Sequence, residues 1–109
     1  MAYNLELEDR IGEVIAGWTG VVRKKMFGGV CYLMRGNMGF GIWKDHLIVR
    51  TGPDLAEKFL SLDGIRPFDV TGRAMKGWVM VDGNHWEDTE ELKTWLNRGR
   101  DFALTLPAK

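Results

Sequence analysis

Hydrophobic residues near the N-terminus recur at spacings of three and four, the period of an α-helix with one apolar face. The spacing predicts a helix over 4–18, and Asn4 is placed to cap its first turn. The apolar face of this helix consists of Leu7, Ile11, Val14, Ile15 and Trp18.

From Val21 onward the pattern changes to short β-like runs separated by glycines and turn residues. The first two β-like runs are separated by an interruption at Gly28-Gly29. Gly36-Asn37 and Lys44-Asp45 are each placed as a two-residue turn, so the region predicts a meander that we count as three strands. The β-like runs are Val22–Phe27, Val30–Met34, Met38–Trp43 and His46–Thr51.

The second half of the chain gives helix and strand signals in turn. Pro53 suits the first turn of a helix, and a short helix is predicted over Asp54–Leu60. After a loop at Leu62–Phe68, two strands are predicted. They are Phe68–Val70 and Trp78–Val81.

The last element predicted is a helix that starts at Asp88, three residues before Glu91, a spacing typical of a capping box. Pro107 ends it. The predicted order is therefore α-β-β-β-α-β-β-α. Consecutive hairpins indicate a two-layer α+β fold, an antiparallel sheet with its helices on one face. The 109 residues are a common size for one domain, so we expect a single domain over 1–109.

The register of the predicted hairpins divides the strand residues between two faces. Two-residue turns place Leu33 opposite Phe40 and Cys31 opposite Ile42, on the core face under the helices. The opposite face is then apolar, where a face meeting only water should be polar. Either a loop or the last helix covers this patch, or it binds a partner protein or a second copy of the chain. The predicted patch is Val30, Tyr32, Met34, Trp43 and Ile48.

Charge gives little support to nucleic-acid binding. Lys+Arg and Asp+Glu are both 15, whereas nucleic-acid-binding domains usually carry a basic excess. The one short basic run is Arg23, Lys24 and Lys25. It is either a charged strand start that discourages edge-to-edge pairing or a contact for nucleic acid, and we favour the first interpretation.

The residues with reactive side chains form no recognisable catalytic group. Cys31 is the only cysteine, so no internal disulfide is possible, and we expect a buried structural thiol. His46 and His85 lack metal-ligand spacing, and we expect surface or capping roles for them. The glycine pairs do not match a phosphate-binding loop, and Gly28-Gly29 predicts a bulge or a close backbone approach. We therefore predict no enzyme activity, no cofactor and no metal.

The N-terminus has no apolar run typical of a signal peptide, and no stretch of about 18 apolar residues exists in the chain. We therefore expect a cytoplasmic protein without a membrane contact.

The run from Arg23 to Val30 resembles the N-terminal domain of the TfoX (Sxy) family. The resemblance extends over roughly Leu5 to Leu104, and the full-length proteins of that family carry a second, C-terminal domain. It implies a secretion-chaperone-like α+β fold and a regulatory role, as a competence or transcription co-regulator that acts through protein contacts. The alternative is a small-molecule-binding or enzymatic domain with a site between sheet and helices. The family motif is Met26, Phe27, Gly28 and Gly29.

Overall fold

The computed structural model describes residues 3–26, 28–69 and 75–108. These residues form an α+β fold, which confirms the predicted class. The described elements, in chain order, are α1 (Leu5–Ile15), β1 (Val21–Met26), β2 (Gly29–Met34), β3 (Asn37–Trp43), β4 (His46–Arg50), α2 (Pro53–Phe59), β5 (Ile65–Pro67), β6 (Trp78–Val81), α3 (Gly83–Trp86) and α4 (Thr89–Leu104).

The six described strands form one sheet in the order β1-β2-β3-β4-β6-β5, and every neighbouring pair is antiparallel. The meander has four strands rather than three, because Met26 pairs directly with Gly29 and a turn separates β1 from β2. Gly28 has a φ of 76°, which suits glycine in that turn. The strand predicted at Phe68–Val70 lies earlier, as β5, and Val70 is outside the described residues.

The helix ends follow the capping signals of the sequence. The Asn4 side chain accepts a hydrogen bond from the Leu7 amide, and the Asp88 side chain accepts one from the Glu91 amide. Both predicted N-caps are therefore confirmed. The short helix α3 replaces a predicted loop, and its N-cap is Asp82, whose side chain accepts from the Asn84 amide.

All four described helices pack on the same face of the sheet, as predicted. Their buried residues join the strand residues in one hydrophobic cluster. The helices contribute Leu7 and Ile11 from α1, Ala56 from α2, Trp86 from α3, and Leu92, Trp95, Leu96 and Ala103 from α4. The strands contribute Val30, Tyr32, Met34, Phe40, Ile42, Leu47, Val49, Ile65, Val79 and Val81.

The register between β2 and β3 differs from the prediction. Arg35 and Gly36 occupy the turn, with φ values of 54° and 82°, and both are positive, as the favoured two-residue hairpin turn requires. Asn37 therefore belongs to β3 and pairs with Met34. Its buried side chain donates a hydrogen bond to the Pro107 carbonyl, which holds this end of β3 against the C-terminal segment.

A β-bulge then shifts the register back by one residue. Leu33 pairs with Met38, but Tyr32 pairs with Phe40, so Gly39 is the extra residue of β3. Moving the turn by one residue shifts the pairing by two and preserves the faces, whereas the bulge shifts it by one and reverses them, since side chains alternate with a period of two. A Cβ on Gly39 would lie 2.8 Å from the Gly99 carbonyl oxygen, so the bulge brings α4 against the sheet.

The reversal corrects the predicted patch. Val30, Tyr32 and Met34 lie on the helix-covered face and belong to the core, so their assignment to the open face was wrong. Trp43 and Ile48 do lie on the opposite face. The β3–β4 hairpin has its predicted register, with Ile42 opposite Leu47 and Phe40 opposite Val49. Cys31 and Leu33, which were predicted in the core, lie on the face away from the helices.

Candidate protein-interaction surface

The side of the sheet away from the helices, called here the outer face, has an apolar centre. Its position follows from strand alternation: Ile48 lies between the core residues Leu47 and Val49, and pairs with Gly41 and Met80. The apolar members of the outer face are Val22, Cys31, Leu33, Met38, Trp43, Ile48, Trp78 and Met80.

The centre of the outer face is buried. Ile48 is 1% exposed, Met80 4% and Cys31 6%, although none of them belongs to the core cluster. The larger residues around them, including Met38 and Trp43, remain half-buried. No helix of the described ranges lies over this surface. An apolar sheet face of this kind is typical of a protein–protein interface.

Met38 illustrates how the outer face is built. A Cβ on Gly41 would lie 2.6 Å from the Met38 methyl carbon, so the methionine lies across the glycine. The arrangement covers the sheet backbone with an unbranched, polarisable side chain. Methionines adapt easily to the shape of an apolar partner, so this position suits a contact surface.

The charges of the sheet are of one sign, since none of its six described strands contains Asp or Glu. Lys24 and Arg66 occupy outward positions on β1 and β5. The Lys44 ammonium lies 4.6 Å from the centre of the Trp43 ring, and the Arg50 guanidinium lies 5.1 Å from that of Trp78. The apolar centre therefore has a basic surround.

His46 is the first residue of β4 and lies on the outer side. The Arg66 guanidinium donates to its Nε2 over 2.8 Å, since a guanidinium cannot accept. The proton of the neutral ring is then on Nδ1, which is buried and has no partner among the described residues. Burial, together with the charge of Arg66, lowers the pKa of His46. The histidine thus supports the edge of the sheet.

His85 lies on the helix side and has the opposite electrostatic environment. Its Nε2 is 2.5 Å from the Asp63 carbonyl oxygen, and its Nδ1 is 2.6 Å from a Glu91 carboxylate oxygen. Both ring nitrogens face acceptors, so the imidazolium satisfies both. The Asp63 carbonyl and then Glu91 raise the pKa of His85. This histidine joins α3 and α4 to the loop before β5, which is a structural role.

The basic run on β1 does not form one surface, because strand alternation divides it. Arg23 points toward α1, where its Nε donates to the Glu8 carboxylate over 2.7 Å. This hydrogen bond raises the pKa of Arg23. Lys24 points to the outer side, and Lys25 shares the helix side with Val30. β1 is an edge strand, as the preferred interpretation of the run supposes.

The family motif has a structural role where it is described. Gly28 makes the turn between β1 and β2, and a Cβ on Gly29 would overlap the Ile42 carbonyl oxygen. The predicted close backbone approach is therefore confirmed. The predicted bulge is at Gly39 instead. Phe27 lies outside the described residues.

A shallow groove lies between α1 and β1, with a volume of about 740 Å³. Within the same residues, no group of three His, Cys, Asp or Glu side chains could hold a metal ion. Burial raises the pKa of the Cys31 thiol, which disfavours the reactive thiolate. No helix in the described part of the chain is long and apolar enough to cross a membrane.

Comparison with known proteins gives one result. A family model described as the TfoX N-terminal domain matches residues 13–103. This range contains every described strand and therefore the whole outer face. No curated protein and no solved structure matches the chain.

Proposed function

Because the chain belongs to the TfoX N-terminal domain family, we propose that it is a non-enzymatic regulatory domain that binds a partner protein through the outer face of its sheet. The observation that carries the proposal is the apolar centre of that face. Met38 and Trp43 remain partly exposed there although the helices already supply the core of the fold. Aromatic residues and methionine are enriched at the centre of protein interfaces.

The basic surround defines the chemistry of the partner. Lys24, Lys44 and Arg66 lie around the apolar centre, and no described strand carries an acid. A segment with apolar side chains at its centre and acidic ones at its margins complements this surface. Charge at the margin accelerates association, while the apolar centre provides most of the affinity.

A role in transcription or competence, which the family resemblance implies, would then rest on protein contact. DNA binding by the basic run is less well supported, because Arg23 is engaged by Glu8 and its two neighbours point to opposite sides. The zero net charge of the chain also disfavours DNA binding. A transcription protein with an acidic, apolar segment is accordingly the first class of partner to test.

Site-specific photo-crosslinking in cells tests the proposal. A photoreactive amino acid placed at Met38 or Trp43 is expected to form an adduct with the same protein. Leu62 and Leu104 are the matched controls, since they are exposed apolar residues outside the outer face. Adducts that are equally abundant at the control positions, or absent at both outer positions, would contradict the proposal.

The alternative function is a small-molecule or catalytic site between sheet and helices, and the groove between α1 and β1 is a candidate location for it. A ligand that binds the native state raises the melting temperature, and the shift grows with the ratio of free ligand to dissociation constant. A metabolite panel screened by thermal shift tests it, with Gly12→Phe as the control because a side chain there would fill the groove.

A further inference from the structure

The two edges of the sheet differ in how they are protected. β5 has three residues and ends at Pro67, which has no amide hydrogen to offer a neighbouring strand. β1 has six residues, contains no proline and has no strand beyond it in the described sheet. A long edge strand without proline is a template for another strand. The charges of Arg23, Lys24 and Lys25 discourage pairing with an arbitrary strand, so pairing at β1 is expected only where acidic groups offset them.

The hairpin geometry identifies which backbone groups of β1 face outward. Met26 and Gly29 are direct partners across a turn of two residues, so they form a hydrogen-bonded pair. Bonded pairs alternate along an antiparallel ladder, and the amides and carbonyls of the intervening residues point to the open edge. No described backbone group outside the strands bonds to them. They belong to Val21, Arg23 and Lys25.

The side chains of these three residues lie on the helix side, beside the groove between α1 and β1. Apolar residues line part of this groove, including Trp18 and Tyr32. Tyr32 is 2% exposed, and burial raises its pKa to about 12, so its hydroxyl stays neutral. No atom lies within 4 Å of a Cβ built on Gly12, which keeps the groove open.

The α1 side of the groove is acidic. Glu8, Asp9 and Glu13 line it, and only Glu8 has an ion-pair partner, Arg23, among the described residues. A strand added to β1 directs alternate side chains toward this wall, because paired residues of an antiparallel ladder point to the same face. A lysine at such a position would rest its aliphatic stem on the apolar lining and its ammonium near the acids.

β1 itself has the sequence that this site requires. When two copies of β1 pair antiparallel about Arg23, the outward residues bond to one another, and Lys25 of the second copy lies opposite Val21. Its side chain then points into the groove beside Asp9 and Glu13. The two Arg23 side chains face each other, and each is held by its own Glu8 at 2.5 Å.

We propose that the domain forms a two-fold dimer through β1, with Lys25 of each copy seated in the groove of the other. The two sheets become continuous, and their helices lie on the same side. The contact is isologous, so one complementary pair of features is used twice. The outer face plays no part in this contact, so the dimer is independent of the proposed function.

Sedimentation of the purified full chain tests the dimer, at concentrations up to about 200 µM, where a dissociation constant of tens of micromolar is readily measured. The wild type is expected to dimerise, and Lys25→Glu is expected to raise the dissociation constant at least about tenfold, since it places a carboxylate beside Asp9 and Glu13. Combining Lys25→Glu with Glu13→Lys exchanges the two charges and is expected to restore much of the affinity.

Lys24→Glu is the matched control, with the same change of charge one residue away on the outer side, where it is expected to change the constant less than about threefold. Circular dichroism confirms that each variant is folded. A wild type that stays monomeric, a Lys25→Glu variant that dimerises like the wild type, or equal effects at 24 and 25 would each overturn the proposal. Dimerisation that is lost in Trp43→Lys would overturn it in favour of the outer face.

Discussion

The two faces of the sheet are built from the same strands but are buried in different ways. On the helix side, Phe40, Leu47 and Val79 are completely inaccessible to solvent because α1–α4 cover them. On the outer side, Ile48 is nearly as inaccessible, while Met38 and Trp43 stay partly exposed. Folding accounts for the apolar residues of the first face. The proposed binding role would account for those of the second face.

Truncating one residue on each face gives the largest expected contrast. Phe40→Ala removes a buried ring that contacts Tyr32, and is expected to lower the free energy of unfolding by about 3–5 kcal/mol. Met38→Ala on the outer face is expected to cost less than about 1.5 kcal/mol, because its side chain is partly exposed. Urea denaturation measures both. Equal losses would show that the outer face also serves stability.

The glycine contact between α4 and β3 gives the next largest effect. A Cβ on Gly99 would overlap the Gly39 carbonyl, so Gly99→Ala is expected to destabilise the fold by about 1–3 kcal/mol. Gly12→Ala is the matched control in α1, where a Cβ meets open space, and is expected to stabilise by up to about 1 kcal/mol. Urea denaturation measures the free energy of unfolding of both variants. A Gly99→Ala variant as stable as the wild type would contradict the close packing that reverses the faces.

The two histidines should give smaller effects of opposite sign. The raised pKa of His85 means that its contribution is complete below the ordinary value of 6.5 and is lost as pH rises through the folded-state pKa. The lowered pKa of His46 means that stability is lost as pH falls below 6.5, when the unfolded chain takes up the proton more readily.

Melting temperatures measured between about pH 5 and pH 9 distinguish these contributions. In His85→Gln, the melting temperature is expected to fall less as pH rises on the alkaline side. In His46→Gln, the melting temperature is expected to fall less as pH falls on the acidic side. Profiles that change on the same side in both variants would contradict the assigned environments.

Periodicity and capping residues predicted most of the fold. The helical spacing of Leu7 and Ile11, the cap at Asp88 and the turn at Lys44-Asp45 each depend on residues close together in sequence. The β2–β3 register depends on a longer-range contact. The bulge at Gly39 is held by Gly99 of α4, and no local pattern specifies that packing.

The same bulge determined how much of the surface could be predicted. Trp43 and Ile48 were placed on the outer face through the correctly predicted β3–β4 hairpin. The β2 residues were assigned to the wrong face because one unpaired residue reverses every side chain beyond it. Arg35-Gly36, with glycine at the second turn position, was a local signal for the correct turn.

The most direct test combines stability and partner contact in one variant, Trp43→Lys, with the photoreactive residue at Met38. The binding role of the outer face predicts that the partner adduct disappears while the free energy of unfolding stays within about 1 kcal/mol of the wild type. An adduct that persists at wild-type yield, or a loss of stability comparable to that of Phe40→Ala, would contradict that role.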